Sequence, residues 1–267
     1  MSGAQRTRSR LAQNFFAADA PARLLAAALP LSPGEWVYDL GAGAGALTAA
    51  LLRHDVRVVA VERDPNLARK LRARFAGRAV TVVEADLRQV ALRAPYKVVA
   101  NPPFNATADL MRRLLHGAPP PDAAALVLQR QAADKYGGIR PNAAALAALP
   151  RFGLDVTRPF SRRDFVPAPS VDVALLRLRR KDPPDLAAED EAEWRAFVRY
   201  VFARPRPDAW RSLRGLVSNL QWRRLCADLG IEPDAMRADL SYAQWLGVFH
   251  FVRRCVPAAK LAHLHSA

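Results

Sequence analysis

At 267 residues and 51% hydrophobic content, the chain is long enough for one large domain or for one domain with a small companion. It has no apolar run of the roughly 18 residues that a membrane-spanning helix needs, and no signal-peptide core follows its basic N-terminus, so we expect a cytoplasmic protein. The excess of 40 Lys and Arg over 25 Asp and Glu gives a net charge of +15, which predicts a polyanionic partner.

The cysteine content argues against a disulfide framework or a zinc site. The sequence holds two cysteines, Cys226 and Cys255, with no CxxC pair, and its five histidines are scattered. We therefore expect reduced thiols and no metal.

Short β-branched runs alternate with Ala-, Leu- and Arg-rich stretches between residues 20 and 180. The runs predict strands over residues 35–40, 56–62, 79–85, 96–100, 123–129, 151–160 and 171–180. The stretches between them predict helices over residues 17–29, 45–53, 65–75, 107–116 and 130–147. This alternation is typical of an α/β fold with a mostly parallel sheet. No helix separates the last two runs, which predicts an antiparallel pair at the sheet edge.

The composition changes near residue 181, where the segment KDPPDLAAEDEAE is polar, acidic and rich in proline. Beyond it, apolar residues recur at helical spacing and no strand-like run follows. The sequence therefore predicts an α/β domain over residues 1–180 and a small α-helical domain over residues 181–267 that ends in a flexible tail.

The segment VYDLGAGAGALT (37–48) is a strand that ends in an acid and leads through a glycine-rich turn into a helix. Gly41, Gly43 and Gly45 allow a tight turn and a close approach of the backbone to a ligand. This signal is weak alone, because many α/β proteins place glycines here to make the turn.

Three successive strands end near an acid, and these acids gather at the edge of the sheet where open α/β sheets bind ligands. Asp39 faces the turn and is suited to a cationic amino group. Glu62 lies about 20 residues downstream, where an acid binds ribose hydroxyls. Asp86, beside the apolar Leu87, is placed to accept from an adenine amine. Because the turn lacks the GxGxxG fingerprint for a pyrophosphate, the set favours S-adenosylmethionine over NAD.

The fourth strand is followed by NPPF (101–104). The prolines stop the strand and fix the backbone, so that an amide and an aromatic ring are held side by side. Such a pair suits a flat, hydrogen-bonding base; the alternative is a strand-terminating kink with a core phenylalanine.

In these motifs the chain resembles the Erm-type rRNA adenine-N6 methyltransferases, within the broader rRNA adenine dimethyltransferase family. The matching segments are AQNFF (12–16), DLGAGAGALT, VERD, EADL, NPPF and FVPAPSVDVALL (165–176), in family order over residues 8–180. The resemblance implies a class I S-adenosylmethionine-dependent methyltransferase with a Rossmann-like, seven-stranded sheet.

The resemblance also implies site residues. The cofactor-binding set is Gln13, Asn14, Phe16, Asp39, Gly41, Gly43, Glu62, Asp86, Leu87 and Asn101. For catalysis, the Asn101 side-chain oxygen and the Pro102 carbonyl would accept hydrogen bonds from the adenine N6 amine, and Phe104 would stack on a flipped base. Many relatives have NIPY here, so Phe104 keeps the stacking face and lacks the hydroxyl.

We expect 23S rRNA as the partner of a monomeric enzyme, with resistance to macrolides, lincosamides and streptogramin B as the consequence. The arginines assigned to RNA binding are Arg6, Arg8 and Arg10, then Arg162 and Arg163 in the segment 158–163, and Arg204, Arg206, Arg211 and Arg214 in the helical domain.

Three alternatives remain open at this point. The first is the sibling 16S rRNA adenine dimethyltransferase of small-subunit maturation. The second is a DNA adenine-N6 methyltransferase, which shares NPPF but which the FxPxPxV loop disfavours. The third is a non-catalytic RNA-binding assembly factor on the same scaffold, which the intact set of acids disfavours.

Overall fold

A seven-stranded sheet organises the first part of the chain. The computed structural model describes residues 15–137, 142–157, 159–204 and 208–257. Several predicted site residues lie outside these ranges, namely Arg6, Arg8, Arg10, Gln13, Asn14 and Arg206, as do residues 258–267 at the end of the chain, where the flexible tail is predicted.

The sheet has the order β4-β3-β2-β5-β6-β9-β7. Its strands are β2 (Trp36–Leu40), β3 (Arg57–Glu62), β4 (Val80–Glu84), β5 (Lys97–Ala100), β6 (Ala123–Gln129), β7 (Phe152–Thr157) and β9 (Val173–Arg180). Strands β2 to β6 pair in parallel, and β9 runs antiparallel to both β6 and β7. The predicted α/β class, seven strands and antiparallel final pair are confirmed, with β7 at the edge.

The central strands are apolar because both faces of the sheet are covered. Every residue of β6 except its last is buried, as expected of a central strand between layers. One face packs against α1 (Asp19–Ala26) and α2 (Ala46–Leu51). Helix α3 (Pro65–Arg74) packs on the same face, because its Leu71 clusters with Ala60 of β3, two residues along the strand from Val58 of that core. Helix α4 (Thr107–His116) follows the NPPF segment.

A two-stranded ribbon lies apart from the main sheet. Strand β1 (Phe15–Phe16) pairs antiparallel with β8 (Phe165–Val166), with Phe16 opposite Phe165. The ribbon therefore joins the N-terminal motif to the FxPxP loop, which lie about 150 residues apart in the sequence.

Contacts divide the chain into two units, residues 1–134 with 152–180 and residues 135–151 with 181–267. The division after residue 180 coincides with the predicted boundary, whereas residues 135–151 group with the helical unit. The physical reason is packing: Leu146 belongs to the core of that unit, its carbonyl accepts a hydrogen bond from Trp194 Nε1 at 3.2 Å, and Arg151 forms an ion pair with Glu191.

The second unit is helical. Its helices are α6 (Ala143–Ala148), α7 (Glu191–Ala203), α8 (Ala209–Leu213), α9 (Asn219–Leu229) and α10 (Tyr242–Cys255), and α5 (Arg130–Gly137) crosses the division between the units. Its core is aromatic, with Trp194, Phe197 and Phe249 in mutual contact. Over the described ranges, no helix combines the length and the apolar character needed to cross a membrane.

Candidate active site

The turn after β2 forms the centre of the site. Gly41 has φ of +88°, which favours glycine, and a Cβ there would lie 3.6 Å from Leu87 Cδ2 and 4.0 Å from Pro103 Cδ. Two pockets meet at this turn, and both are lined by Gly41 and Pro103.

The first pocket is open to solvent. Its lining residues are Gly41, Val61, Glu62, Arg63, Ala85, Asp86, Leu87, Arg88, Pro103, Asn105 and Ala106. It therefore combines carboxylates with apolar side chains, as a site for a nucleoside would require.

Glu62 is held rigidly at the end of β3. Its side chain is 2% exposed, and its two carboxylate oxygens accept hydrogen bonds from the backbone amides of Gly43 and Asp64, each at 2.8 Å. Each oxygen carries a second lone pair, so the carboxylate can accept hydroxyl donors while the turn keeps its position.

Asp86 follows β4 and is engaged by arginines. The Arg88 backbone amide and Nε donate to Oδ1 at 2.9 and 2.8 Å, Arg88 Nη2 donates to Oδ2, and Arg63 Nη1 lies 3.6 Å from Oδ2. The hydrogen bonds from Arg88 lower the pKa of Asp86 to about 2, against the opposing effect of its partial burial. Asp86 is therefore an ionised acceptor at neutral pH.

The second pocket also borders Gly41. Its lining residues are Phe15, Phe16, Asp39, Gly41, Ala42, Gly43, Ala44, Ala46, Leu47, Asn101 and Pro103. The structure thus brings the N-terminal motif, the glycine turn and the asparagine of NPPF around one cavity.

Asp39 is the buried acid of this pocket. It is 1% exposed, and its Oδ2 accepts a hydrogen bond of 2.6 Å from Thr48 Oγ1. Burial raises the pKa of Asp39 to about 7, and the nearby Glu62 charge adds to this effect while the Thr48 hydrogen bond opposes it. The side chain therefore titrates near neutrality, and a cationic ligand group would favour its ionised form.

The NPPF segment leaves β5 at this edge of the sheet. Asn101 is half-buried and lines the second pocket, and Pro102 is buried. Phe104 begins a short 3-10 turn (Phe104–Ala106) and packs against the core, so it lines neither pocket in this structure.

Comparison with known proteins identifies the family. The family model described as "Ribosomal RNA adenine dimethylase" matches residues 4–254. The chain belongs to the ribosomal RNA adenine dimethylase family.

Individual relatives of this adenine dimethylase differ in the roles that their names give. The chain is 32% identical over 223 residues to ribosomal RNA small subunit methyltransferase A of Geobacter sulfurreducens, covering 79% of this chain and 81% of that protein. It is 30% identical over 251 residues to the mycinamicin-resistance protein MyrB of Micromonospora griseorubida, covering 92% and 79%. Among solved structures it resembles the 23S rRNA methyltransferase ErmE, with 27% identity, a TM-score of 0.83 and coverage of 90% and 100%.

The arginines of the adenine dimethylase that were assigned to RNA differ in their surroundings. Arg162 pairs with Asp172 at 2.8 Å, Arg204 lies 4.4 Å from the ring centre of Tyr200, and Arg211 lies 3.7 Å from Asp208. Arg163 and Arg214 are exposed, and neither has an acidic partner among the described residues. Within the described ranges, no three His, Cys, Asp or Glu side chains form a group that could hold a metal ion.

The structure adds residues to the site beyond the predicted set. Phe15 lines the second pocket together with the predicted Phe16, Thr48 holds Asp39, Arg88 holds Asp86, and Pro103 lines both pockets. Of these, the local contact from Asp86 to the Arg88 amide has a sequence signal, since aspartate often accepts from the amide two residues on.

Proposed function

We propose that the protein transfers a methyl group from S-adenosylmethionine to N6 of a specific adenine in 23S rRNA, as a monomer in the cytoplasm. In the host this modification would give resistance to macrolides, lincosamides and streptogramin B. Membership of the adenine dimethylase family supports methyltransferase activity.

The observation that carries this proposal is the pair of pockets that meet at Gly41 and Pro103. One pocket presents Glu62 and Asp86 beside apolar Leu87, which fits the ribose and base of an adenosine. The other presents the buried Asp39 beside Asn101, which fits a cationic amino-acid end. When bound, S-adenosylmethionine would supply a methyl group on a sulfonium sulfur.

The carboxylates have separate binding roles in this proposal. Glu62, fixed by the amides of Gly43 and Asp64, accepts from the ribose hydroxyls. Asp86 accepts from the adenine amine, and Leu87 packs on the ring. Gln13, Asn14 and Phe16 complete the set, with Gln13 and Asn14 resting on the family resemblance alone.

The NPPF segment acts on the target base. The Asn101 side-chain oxygen and the Pro102 carbonyl accept the two hydrogens of N6, which localises its lone pair toward the methyl donor. Phe104 stacks on the base, and this requires its ring to turn from the core contact that it makes here. The rate enhancement then comes from orientation and preorganised acceptors.

One similarity favours 23S rRNA as the substrate, and a second favours the resistance role. The ErmE structure has a TM-score of 0.83 with this chain, and MyrB aligns with 92% of it. The exposed arginines supply the phosphate contacts that a folded RNA requires.

A second candidate is methylation of 16S rRNA. The observation in its favour is the 32% identity to the small subunit methyltransferase A of Geobacter sulfurreducens. Both candidates use the same site and differ in the RNA.

The test is transfer of labelled methyl from S-adenosylmethionine to protein-free 23S and 16S rRNA. We expect label in 23S rRNA at adenine N6, and its loss by at least about a hundredfold in Asn101→Ala, which removes one of two preorganised acceptors. Asn66→Ala, an exposed asparagine on α3, is the control and should retain activity. Label in 16S rRNA alone would establish the second candidate, and no label in either would contradict both.

A further inference from the structure

The Asp86 carboxylate, proposed above to bind the adenine amine, is already engaged by its own chain. Oδ1 accepts from both the backbone amide and Nε of Arg88, and Oδ2 accepts from Arg88 Nη2 with Arg63 nearby. The Asp86 side chain is 16% exposed, and both Asp86 and Arg88 line the first pocket.

A carboxylate offers about four lone-pair positions, and Arg88 alone occupies three of them. The remaining position is on Oδ2, where Arg63 Nη1 already lies 3.6 Å away, so an amine that approaches Asp86 from the pocket must share this oxygen with the Arg88 guanidinium. A bidentate arginine–carboxylate pair is among the stronger side-chain contacts, so this competition lowers the affinity for any ligand that needs Asp86.

Arg88 has a second carboxylate within reach. Its Nη1 lies 3.8 Å from Asp109 Oδ2, on α4, while Asp109 Oδ1 accepts from Arg112. The Arg88 guanidinium thus lies between two acids. It donates hydrogen bonds to Asp86 and lies just beyond hydrogen-bond distance of Asp109.

We propose that Arg88 is a positioning residue that acts as a latch on the adenine end of the cofactor pocket. The guanidinium lies on Asp86 in the free protein and moves to Asp109 when an adenine amine binds to Asp86. This inference rests on the proposed role of Asp86, and it adds that the balance between Asp86 and Asp109 sets the affinity for the cofactor.

The test is a double-mutant cycle on the binding of S-adenosylhomocysteine, measured by titration calorimetry on the full chain without RNA. Removing the competitor in Arg88→Ala should tighten binding roughly threefold to tenfold, the range of a partly exposed bidentate ion pair. Removing the second acceptor in Asp109→Asn should weaken binding about threefold, since Arg88 is then left with Asp86 alone. The double variant should bind as tightly as Arg88→Ala, which shows that Asp109 acts through Arg88.

A matched control separates the latch from a general effect of charge. Arg72→Ala removes the same charge from an exposed ion pair, with Glu84, outside the pocket, and should leave binding unchanged. Weaker or unchanged binding by Arg88→Ala, or an effect of Asp109→Asn that persists without Arg88, would overturn the latch alone. No binding to the unaltered protein would overturn the cofactor assignment and the latch together.

Discussion

Two aspartates of the site illustrate how position, rather than residue type, sets acidity. Asp39 and Asp86 both follow the apolar core of a strand, yet the pKa of Asp39 rises to about 7 and that of Asp86 falls to about 2. Burial disfavours the Asp39 charge more than its hydrogen bonding to Thr48 favours it, whereas the Arg88 guanidinium favours the Asp86 charge. The second pocket therefore offers a carboxyl, Asp39, that a cationic ligand must ionise. The first pocket offers a carboxylate, Asp86, that is already ionised.

The raised pKa of Asp39 predicts a pH-dependent gain in stability for Asp39→Asn. Between its ordinary value of 3.8 and its folded value of about 7, Asp39 holds a proton in the folded state that it loses on unfolding. The contribution of Asp39 to the stability of the folded state is therefore fully present below pH 3.8 and is lost as the pH rises through about 7. The asparagine variant should be more stable than the unaltered protein by about 4 kcal/mol at pH 8 and by little at pH 4.

Urea unfolding of both proteins at the two pH values measures this difference. The control is Glu189→Gln, which removes an exposed acid of the helical unit. Equal stabilities at pH 8, or a gain that is larger at pH 4, would contradict the assignment of a buried protonated carboxyl.

The sequence predicts which acids reach the site but not their environments. Asp39, Glu62 and Asp86 are identifiable because parallel strands end at one edge of a sheet. Thr48 lies nine residues further along the chain, on α2, and donates a hydrogen bond to Asp39. This contact depends on how α2 packs. The position of Phe104 against the core likewise depends on tertiary contacts that the NPPF motif does not encode.

At the scale of elements, the glycine turn is constrained by what packs on it. Gly45 precedes α2 with φ of +83°, and a Cβ there would lie 2.7 Å from both Leu71 Cδ2 and Phe75 Cε2. Both neighbours are buried, so they have little room to move. The position of the glycine turn is thus fixed by the packing of α3 against Gly45.

Two glycines with nearly the same φ separate strain from packing. Gly34 has φ of +82° and no neighbour within 4 Å of a would-be Cβ. Gly34→Ala should cost about 1 kcal/mol from the left-handed backbone alone. Gly45→Ala should cost about 3 kcal/mol because overpacking is added to the same strain. Chemical denaturation measures both, and equal losses would show that the α3 contact is easily relieved.

The elements themselves follow from sequence where burial imposes a strong pattern. Strands β2 to β6 lie within a residue or two of their predicted bounds, because buried parallel strands are continuous apolar runs. The β1–β8 ribbon is not predicted, since two-residue strands show no periodicity. The predicted helix over 130–147 is two helices, and the second begins after Asn142, whose side chain caps it.

For the whole molecule, the net charge of +15 attracts a polyanion through those arginines that no acidic neighbour already neutralises. Many are neutralised locally, as Arg177 is by Asp155 and Arg180 by Asp122. Arg162 and Arg163 are neighbours in one short turn, but Arg162 pairs with Asp172 and Arg163 has no acidic partner among the described residues. Arg162 and Arg163 are both exposed, but they differ in the net charge that each offers to a polyanion.

This difference predicts unequal effects on RNA binding. Arg163→Ala should weaken binding to a 23S rRNA fragment and lower the slope of log affinity against log salt by about one, because one phosphate contact is lost. Arg162→Ala should change both quantities less, because the Asp172 carboxylate already offsets its charge. Fluorescence anisotropy across a salt series measures both slopes, and calorimetric binding of S-adenosylhomocysteine, which should not change in either variant, verifies that the cofactor site is intact. Equal losses in the two variants would indicate that Arg162 leaves Asp172 to reach the RNA, and no loss in either would remove this turn from the RNA-binding surface.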